Sequence, residues 1–244
     1  MATKSKGLAV EKSMKIYWRT FFRKRDKDKD RFPFGVRFYE AYMGEGKSLS
    51  SVFDAFQLGY EYPDMLLFSN LKIKDFPTKQ INFSTKEQLY DFLMLIDQDK
   101  IKYKHILILI DEALPYFSEN QGLSVGTISA LTNLRKNKVC MFLNTQKFTR
   151  VNNRIRDFSK ETVKCSTLFG IFQYNSVRDD KKLTWDKNEM DYVGVKKYSY
   201  IFKRHNRLYN SYDTLAKIKT STTKDEPLIA AAVPPPPPQA KTIK

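Results

Sequence analysis

A chain of 244 residues with 41% hydrophobic residues, 18 Phe and 14 Tyr among them, can bury one core of moderate size, which excludes wholesale disorder and more than two small domains. Its formal net charge of +16 excludes an acidic surface and points to a polyanionic partner, nucleic acid or an anionic membrane face. The two cysteines, Cys140 and Cys165, lie in apolar runs without metal-ligand spacing and read as reduced core residues of an intracellular protein.

The charge is concentrated. Residues 1–35 hold 11 Lys/Arg against 4 Asp/Glu, and residues 135–164 hold 9 against 2, so these two segments supply 14 of the 16 net charges. The first is an arm, residues 1–34, in which Tyr17, Trp18, Phe21 and Phe22 are interleaved with Arg19, Arg23, Lys24 and Arg25. Such a patch suits docking on DNA, on a membrane or on a portal partner, and equally packing of its aromatics on the folded domain. Its start, MATKSKGLAVEKSMK, has no apolar segment of a secretory signal.

From residue 35 strand and helix signals alternate. Residues 36–43 (VRFYEAYM) read as a strand. Residues 47–60 have helical spacing, with Leu49, Val52, Phe53 and Phe56 on one face. Residues 64–71 read as a short apolar strand, and 84–99 as an amphipathic helix opened by a capping box of Ser84 and Glu87. HILILIDE, 105–112, is a continuous apolar run of strand length, typical of a parallel strand buried on both faces. Residues 125–138 read as a helix, 139–146 (VCMFLNTQ) as a second buried strand, and 150–158 as a basic helix or loop. Residues 162–175 and 195–206 alternate like antiparallel or edge strands.

The chain ends in a tail, 217–244, whose five consecutive prolines form a polyproline II rod, a flexible or docking segment. No run approaches the ~20 apolar residues of a membrane span, so any membrane contact is expected to be peripheral. The pattern predicts an α/β fold with a mainly parallel central sheet and antiparallel additions on the C-terminal side, with residues 35–216 as the domain.

AYMGEGKSLS, 41–50, matches the phosphate-cradling pattern G-x-x-x-x-G-K-[ST] except at its first position, Ala41. Glycines let backbone N–H groups close around a phosphate, Lys47 reaches the β- and γ-phosphates, and Ser48 offers a hydroxyl to Mg²⁺. The expected nucleotide-binding segment is Gly44, Glu45, Gly46, Lys47, Ser48 and Leu49. Asp111, after the buried run, is the second candidate ligand of Mg²⁺, and Glu112 the candidate to polarise the attacking water. The bland alternative is a capped strand end with two solvent-facing acids. The tip of the 139–146 strand, with Asn144, Thr145 and Gln146, is a candidate γ-phosphate sensor, Gln146 being the expected catalytic group. Lys147, Arg150, Arg154 and Arg156 are candidate contacts to DNA phosphates.

The phosphate loop, the DE strand, LRKNK, the NTQ strand tip and the basic RIRD together resemble the FtsK/HerA superfamily of DNA-pumping ATPases. Within it the chain is similar to small viral genome-packaging ATPases and to Zot-like phage proteins, in which LLFSNLKIK (66–74) and YNSYDT (209–214) also find counterparts. The likeness covers roughly residues 35–215. It implies a three-layer, RecA-like P-loop NTPase core, ATP and Mg²⁺ as cofactors, and a homo-oligomeric ring, usually a hexamer, with ATP between neighbours. It implies an arginine finger given in trans, with Arg135 as candidate and Arg154 and Arg156 as competitors. The expected function is an ATP-driven translocase moving double-stranded DNA into a capsid, docked on a capsid vertex or portal, in the host cytoplasm in association with the virion. The alternatives are a Zot-like assembly and extrusion ATPase, and a nucleic-acid-binding protein whose nucleotide acts as a switch. Ala41 departs from the family's glycine, and the large pore or membrane-spanning additions of cellular relatives are lacking.

Overall fold

The computed structural model describes residues 32–118, 122–186 and 191–212. Nearly all of the expected N-terminal arm, and the Pro-rich tail, lie outside the described residues. The elements run β1 (Gly35–Glu40), α1 (Lys47–Glu61), β2 (Met65–Ser69), β3 (Lys79–Asn82), α2 (Lys86–Asp97), β4 (His105–Ile110), α3 (Leu114–Phe117), α4 (Val125–Thr132) and β5 (Val139–Thr145). A single 3₁₀ turn (Phe148–Arg150) and α5 (Asn153–Arg156) lead to β6 (Ser159–Leu168), β7 (Phe172–Asp186), β8 (Asp191–Lys203) and α6 (Asn206–Tyr209).

The eight strands of the described residues form one sheet in the order β3-β2-β4-β5-β1-β6-β7-β8. The pairs from β3 to β6 are parallel, and β7 and β8 add antiparallel. Every residue of β2, β4 and β5 is buried, because helices cover both faces. Alternate side chains divide between the faces. On one, Phe38, Phe68, Ile108 and Met141 pack against Leu89, Phe92 and Leu93 of α2 and Leu131 of α4. On the other, Tyr39, Leu67, Leu107, Phe142 and Val163 meet Val52, Ala55 and Phe56 of α1. The result is the expected three-layer α/β architecture. Phe68 is sandwiched between Phe92 at 3.8 Å and Phe83 at 4.6 Å, so its truncation to Ala would cost about 3–5 kcal/mol.

The middle of α1 is tied to the sheet by buried charges. Asp54, 2% exposed, accepts from the phenols of Tyr39 and Tyr200 at 2.6 Å each and from Arg37 Nη1 at 3.4 Å. Arg37 Nη2 also donates to Glu161 at 2.6 Å, and Lys197 closes the network on Glu161 at 2.8 Å. Strands β1, β6 and β8 thereby fix one helix.

Several expectations change. The first strand ends at Glu40, not 43; the chain leaves the sheet at Ala41, and Tyr42 and Met43 are exposed. The cap of α2 lies one residue later than read. Thr85 Oγ1 accepts from Gln88 N, and Gln88 Oε1 accepts from the backbone N–H groups of Thr85 and Ser84. The helix expected over 125–138 stops at Thr132; Asn133, with φ −90° and ψ 5°, caps it and gives its N–H to Leu131 O and Ser129 O, and the buried Leu134 belongs to the turn that follows. The run 162–175 is two strands. β6 is the last parallel strand, and the chain reverses at Phe169 and Gly170, both with positive φ, before β7. β3 was not foreseen.

Candidate nucleotide-binding site

The loop after β1 is shaped by its glycines. Gly44 and Gly46 have φ of 85° and 82°, left-handed conformations that a side chain would strain. Gly46 caps α1 without any side-chain hydrogen bond, whereas α2 and α4 are capped by Thr85 and Ser124. The first-turn N–H groups of α1 therefore keep donor capacity at the positive end of a 15-residue helix, where an anion can serve as the cap. Ala41 fits this turn as an ordinary buried residue; its N–H lies 3.4 Å from Thr145 O at the end of β5.

Sheet order brings the second motif to the loop. β5 lies between β1 and β4, so the carboxyl ends of β1, β5, β4 and β2 line up along one edge. There Ser48 Oγ donates to Asp111 Oδ1 at 2.6 Å, and Asn144 Nδ2 donates to the same oxygen at 2.7 Å. Asn70, at the tip of β2, clamps the Asp111 backbone in both directions, donating to its carbonyl and accepting from its N–H, each at 2.8 Å. Asn144 is fully buried, and its Oδ1 has no partner among the described residues.

Glu112 follows in a left-handed conformation, φ 60°, unusual for a non-glycine residue and of the kind that clusters at functional sites. The next peptide is fixed by Ala113 N donating to Asn144 O at 2.7 Å. Burial pushes the Glu112 carboxyl above the ordinary 4.5, with the Lys47 ammonium pulling it down and Asp111 pushing it up.

The other side of the loop meets the β6–β7 hairpin. Glu45 Oε2 accepts from Thr167 N at 2.8 Å, and Gln173 Nε2 donates to Glu45 O at 2.9 Å. Ser50 Oγ reaches Gly46 O and Asn175 Oδ1, both at 2.9 Å. Gln173 and Asn175 escaped the sequence reading, although their inward place in an alternating strand, beside Val177, was a signal. Asn70 was noticed only as a family likeness.

The expected loop residues, Asp111 and Glu112 come together. Gln146 lies past the end of β5, half-buried, and it is Asn144 that contacts Asp111. Lys147 and Arg150 are exposed just past the end of β5; α5, with Arg154 exposed and with Arg156 over Phe148 at 5.6 Å and donating to Asn153, lies on the way to the start of β6 at the opposite edge. Arg135 does not join them. It precedes β5, over the Phe34 ring at 5.5 Å, so a strand about 20 Å long separates it from the loop of its own chain.

Among the described residues no helix is long and apolar enough to cross a membrane. No curated protein sequence matches the chain. The structure is similar to the N-terminal domain of zonular occludens toxin from Neisseria meningitidis, at 16% identity and a TM-score of 0.52, covering 73% of this chain and 98% of that one. It also resembles the genome packaging NTPase B204 of Sulfolobus turreted icosahedral virus 2 in complex with ATP-gammaS, at 11% identity and a TM-score of 0.46, covering 65% of this chain and 95% of that one. For B204 described as the DNA-packaging ATPase from Sulfolobus turreted icosahedral virus, the values are 12%, 0.48, 67% and 97%. Residues 64–216, more than half of the chain, match the family described as Zonular occludens toxin (Zot), a span that begins after the phosphate loop and takes in Asn70, Asp111, Glu112 and Asn144. The chain, an α/β protein with the P-loop NTPase fold, belongs to the zonular occludens toxin family.

Proposed function

We propose that the protein is an ATPase that works on viral DNA during virion assembly, with residues 35–216 as the motor domain. The observation that carries the reading is the meeting of Ser48, Asp111 and Asn144 within hydrogen-bond distance, beside a helix start without a side-chain cap. The N–H groups of Gly44 and of residues 46–49 bind the phosphates, Glu45 giving its own N–H to Tyr42 O, and Lys47 balances their charge. Ser48 Oγ and Asp111 Oδ1 form a hydroxyl–carboxylate pair suited to Mg²⁺, which keeps several waters and takes other ligands from phosphate. The unpartnered Asn144 Oδ1 fits that assignment, since a water at this place would satisfy it. When bound, Mg²⁺ would neutralise charge developing on the β- and γ-oxygens. Glu112 takes the proton of the attacking water, its raised affinity for protons bringing it nearer to neutral pH. Asn144, with Gln146 beside it, reports the state of the γ-phosphate to the basic segment Lys147, Arg150, Arg154 and Arg156, which grips DNA phosphates without reading sequence.

The assembly is a ring, a hexamer in the family pattern, with a finger arginine from the neighbour. Arg135 fills that role only if the neighbour presents its far sheet edge; Arg154 and Arg156 lie on α5, between the two edges. Genome packaging at a capsid vertex is the first reading. The family match favours a second, a Zot-like assembly ATPase that drives virion extrusion at a membrane, for which the N-terminal arm and the Pro-rich tail supply docking segments.

The test is nucleotide binding and DNA-stimulated hydrolysis by the full chain. Lys47→Ala should abolish binding of a fluorescent ATP analogue, and duplex DNA should stimulate the unaltered protein; unchanged binding in the variant, or no stimulated turnover in assembled rings, overturns the reading. Mixed rings of Arg135→Ala and Glu112→Gln chains, set beside Arg154→Ala mixtures, identify the finger.

A further inference from the structure

Strand β7 places two amides, Gln173 and Asn175, in the interior, both fully buried. A buried amide costs about 1–3 kcal/mol when a polar atom is left unsatisfied. Each leaves one so, Gln173 Oε1 and Asn175 Nδ2. An apolar side chain of the same size would avoid that cost, so core filling does not account for them.

Their hydrogen bonds go to one place. Gln173 Nε2 bridges Glu45 O at 2.9 Å and Ser166 O at 3.2 Å, joining the phosphate loop to β6. The amide lies flat against the point where the loop becomes α1: a Cβ added to Gly46 would stand 2.1 Å from Gln173 Oε1 and 2.7 Å from its Cδ. Glu45 returns a second link through its carboxylate to Thr167 N, and Asn175 reaches the first turn of α1 through Ser50. None of these groups contacts Ser48, Asp111 or Asn144. The cluster holds the outside of the loop, away from the reacting edge.

We infer that Gln173 is a positioning residue that sets the phosphate loop in its binding conformation before nucleotide arrives. Donation to Glu45 O fixes the peptide ahead of Gly46, and the close fit at Gly46 holds the glycine in its left-handed turn. The ordering cost is then met on folding, so nucleotide affinity depends on Gln173 and the hydrolytic step does not. The affinity part of this inference rests on the nucleotide site proposed above; the ordering of the loop does not.

The experiment uses the full chain carrying Gln173→Met, which keeps the volume and removes both donations. Backbone hydrogen exchange over residues 42–50 in the nucleotide-free protein should accelerate about 5–10-fold, the worth of one net hydrogen bond, while exchange in β4 stays the same. Titration with a fluorescent ATP analogue should show Kd raised by a similar factor, with kcat at saturation within about twofold of the unaltered protein. Unchanged loop exchange overturns the inference, and so does a fall in kcat at constant Kd, which would put Gln173 in the chemistry. If the unaltered protein binds no nucleotide, the proposed site fails, and the exchange result alone decides whether Gln173 orders the loop. Should Gln173→Met not fold, Gln173→Leu provides the same test, since it too has no donor for either carbonyl.

Discussion

The phosphate loop is held from two sides by different means. Toward β5, β4 and β2 the strands are wholly buried and polar side chains converge at their ends, where Asn144 and Asn70 meet Asp111. Toward β6, β7 and β8 the polar groups are inside the strands: Gln173, Asn175, Glu161 and, reaching in from α1, Asp54. A parallel sheet brings all its carboxyl ends to one edge, so topology alone places chemistry there. Antiparallel additions have no such common edge. They act on the loop through buried hydrogen bonds, which are strong only while every partner is present. Changes to the polar groups at the strand ends on the first side should therefore remove function and spare the fold, while changes to the buried polar groups on the second should cost stability or loop order and leave the hydrolytic step intact.

The largest expected effect is functional. Glu112→Gln should lower hydrolysis about 10²–10⁴-fold, the usual worth of a general base, with binding of an ATP analogue retained. Burial disfavours the charged form of Glu112, so the neutral variant should melt no lower than the unaltered protein. Single-turnover hydrolysis and a thermal melt check both. Retained hydrolysis, or a fold weakened with it, would break the contrast.

The next effect falls on stability. Removing Asp54 strands two phenols and part of the Arg37 charge in the interior, so Asp54→Ala should cost about 3–5 kcal/mol in urea unfolding. Asp54→Asn keeps an acceptor and should cost less. Burial raises the Asp54 carboxyl above 3.8, with Arg37 opposing. A raised folded-state value means that the folded protein binds the proton more tightly. That contribution is complete below 3.8 and is lost as pH rises through the folded value. The penalty of Asp54→Asn should accordingly be largest below pH 3.8 and shrink as pH rises above it. A penalty that grows with pH would mean that the ionised pair with Arg37 outweighs burial.

The same contrast explains what could be read in advance. β4 and β5 are legible because six and seven consecutive buried residues leave an apolar run no loop would carry. The phosphate loop is legible because its glycines, lysine and serine have one chemistry in common. Asn144 was legible only as one of three polar residues at a strand tip, and Asn70 only as a likeness, since an Asn at a strand end reads as turn punctuation until the strand order shows that both face Asp111. β3 was hidden because an edge strand of Lys79, Gln80, Ile81 and Asn82 buries only Ile81. The hairpin turn was hidden because LFGIF continues the apolar alternation straight through it; Phe169 adopts φ 53° and stands 91% exposed, which no local pattern announces. Helix α4 was overextended because the apolar spacing runs on to Leu134, 3% exposed, and basic residues of good helix propensity follow it, whereas Asn133 already closes the helix.

The smallest prediction tests the local rules on the parallel side. The spacing of Ser84 and Glu87 satisfies the capping-box pattern as well as that of Thr85 and Gln88, and only the second pair is used. Thr85 has extended backbone, φ −117° and ψ 160°, and its hydroxyl accepts from Gln88 N at 3.3 Å. Ser84 gives its backbone N–H to Gln88 Oε1 at 2.8 Å, so it joins the cap through the main chain, which any residue supplies. Thr85→Ala should then cost about 1 kcal/mol in urea unfolding, and Ser84→Ala only a few tenths. Neither should change nucleotide binding, because α2 packs on the far face of the sheet from α1, through Leu89, Phe92 and Leu93. If Ser84→Ala proves the costlier, the helix begins one residue earlier. If either weakens nucleotide binding, the sheet does not insulate the loop from its opposite face, and the division between the two sides fails.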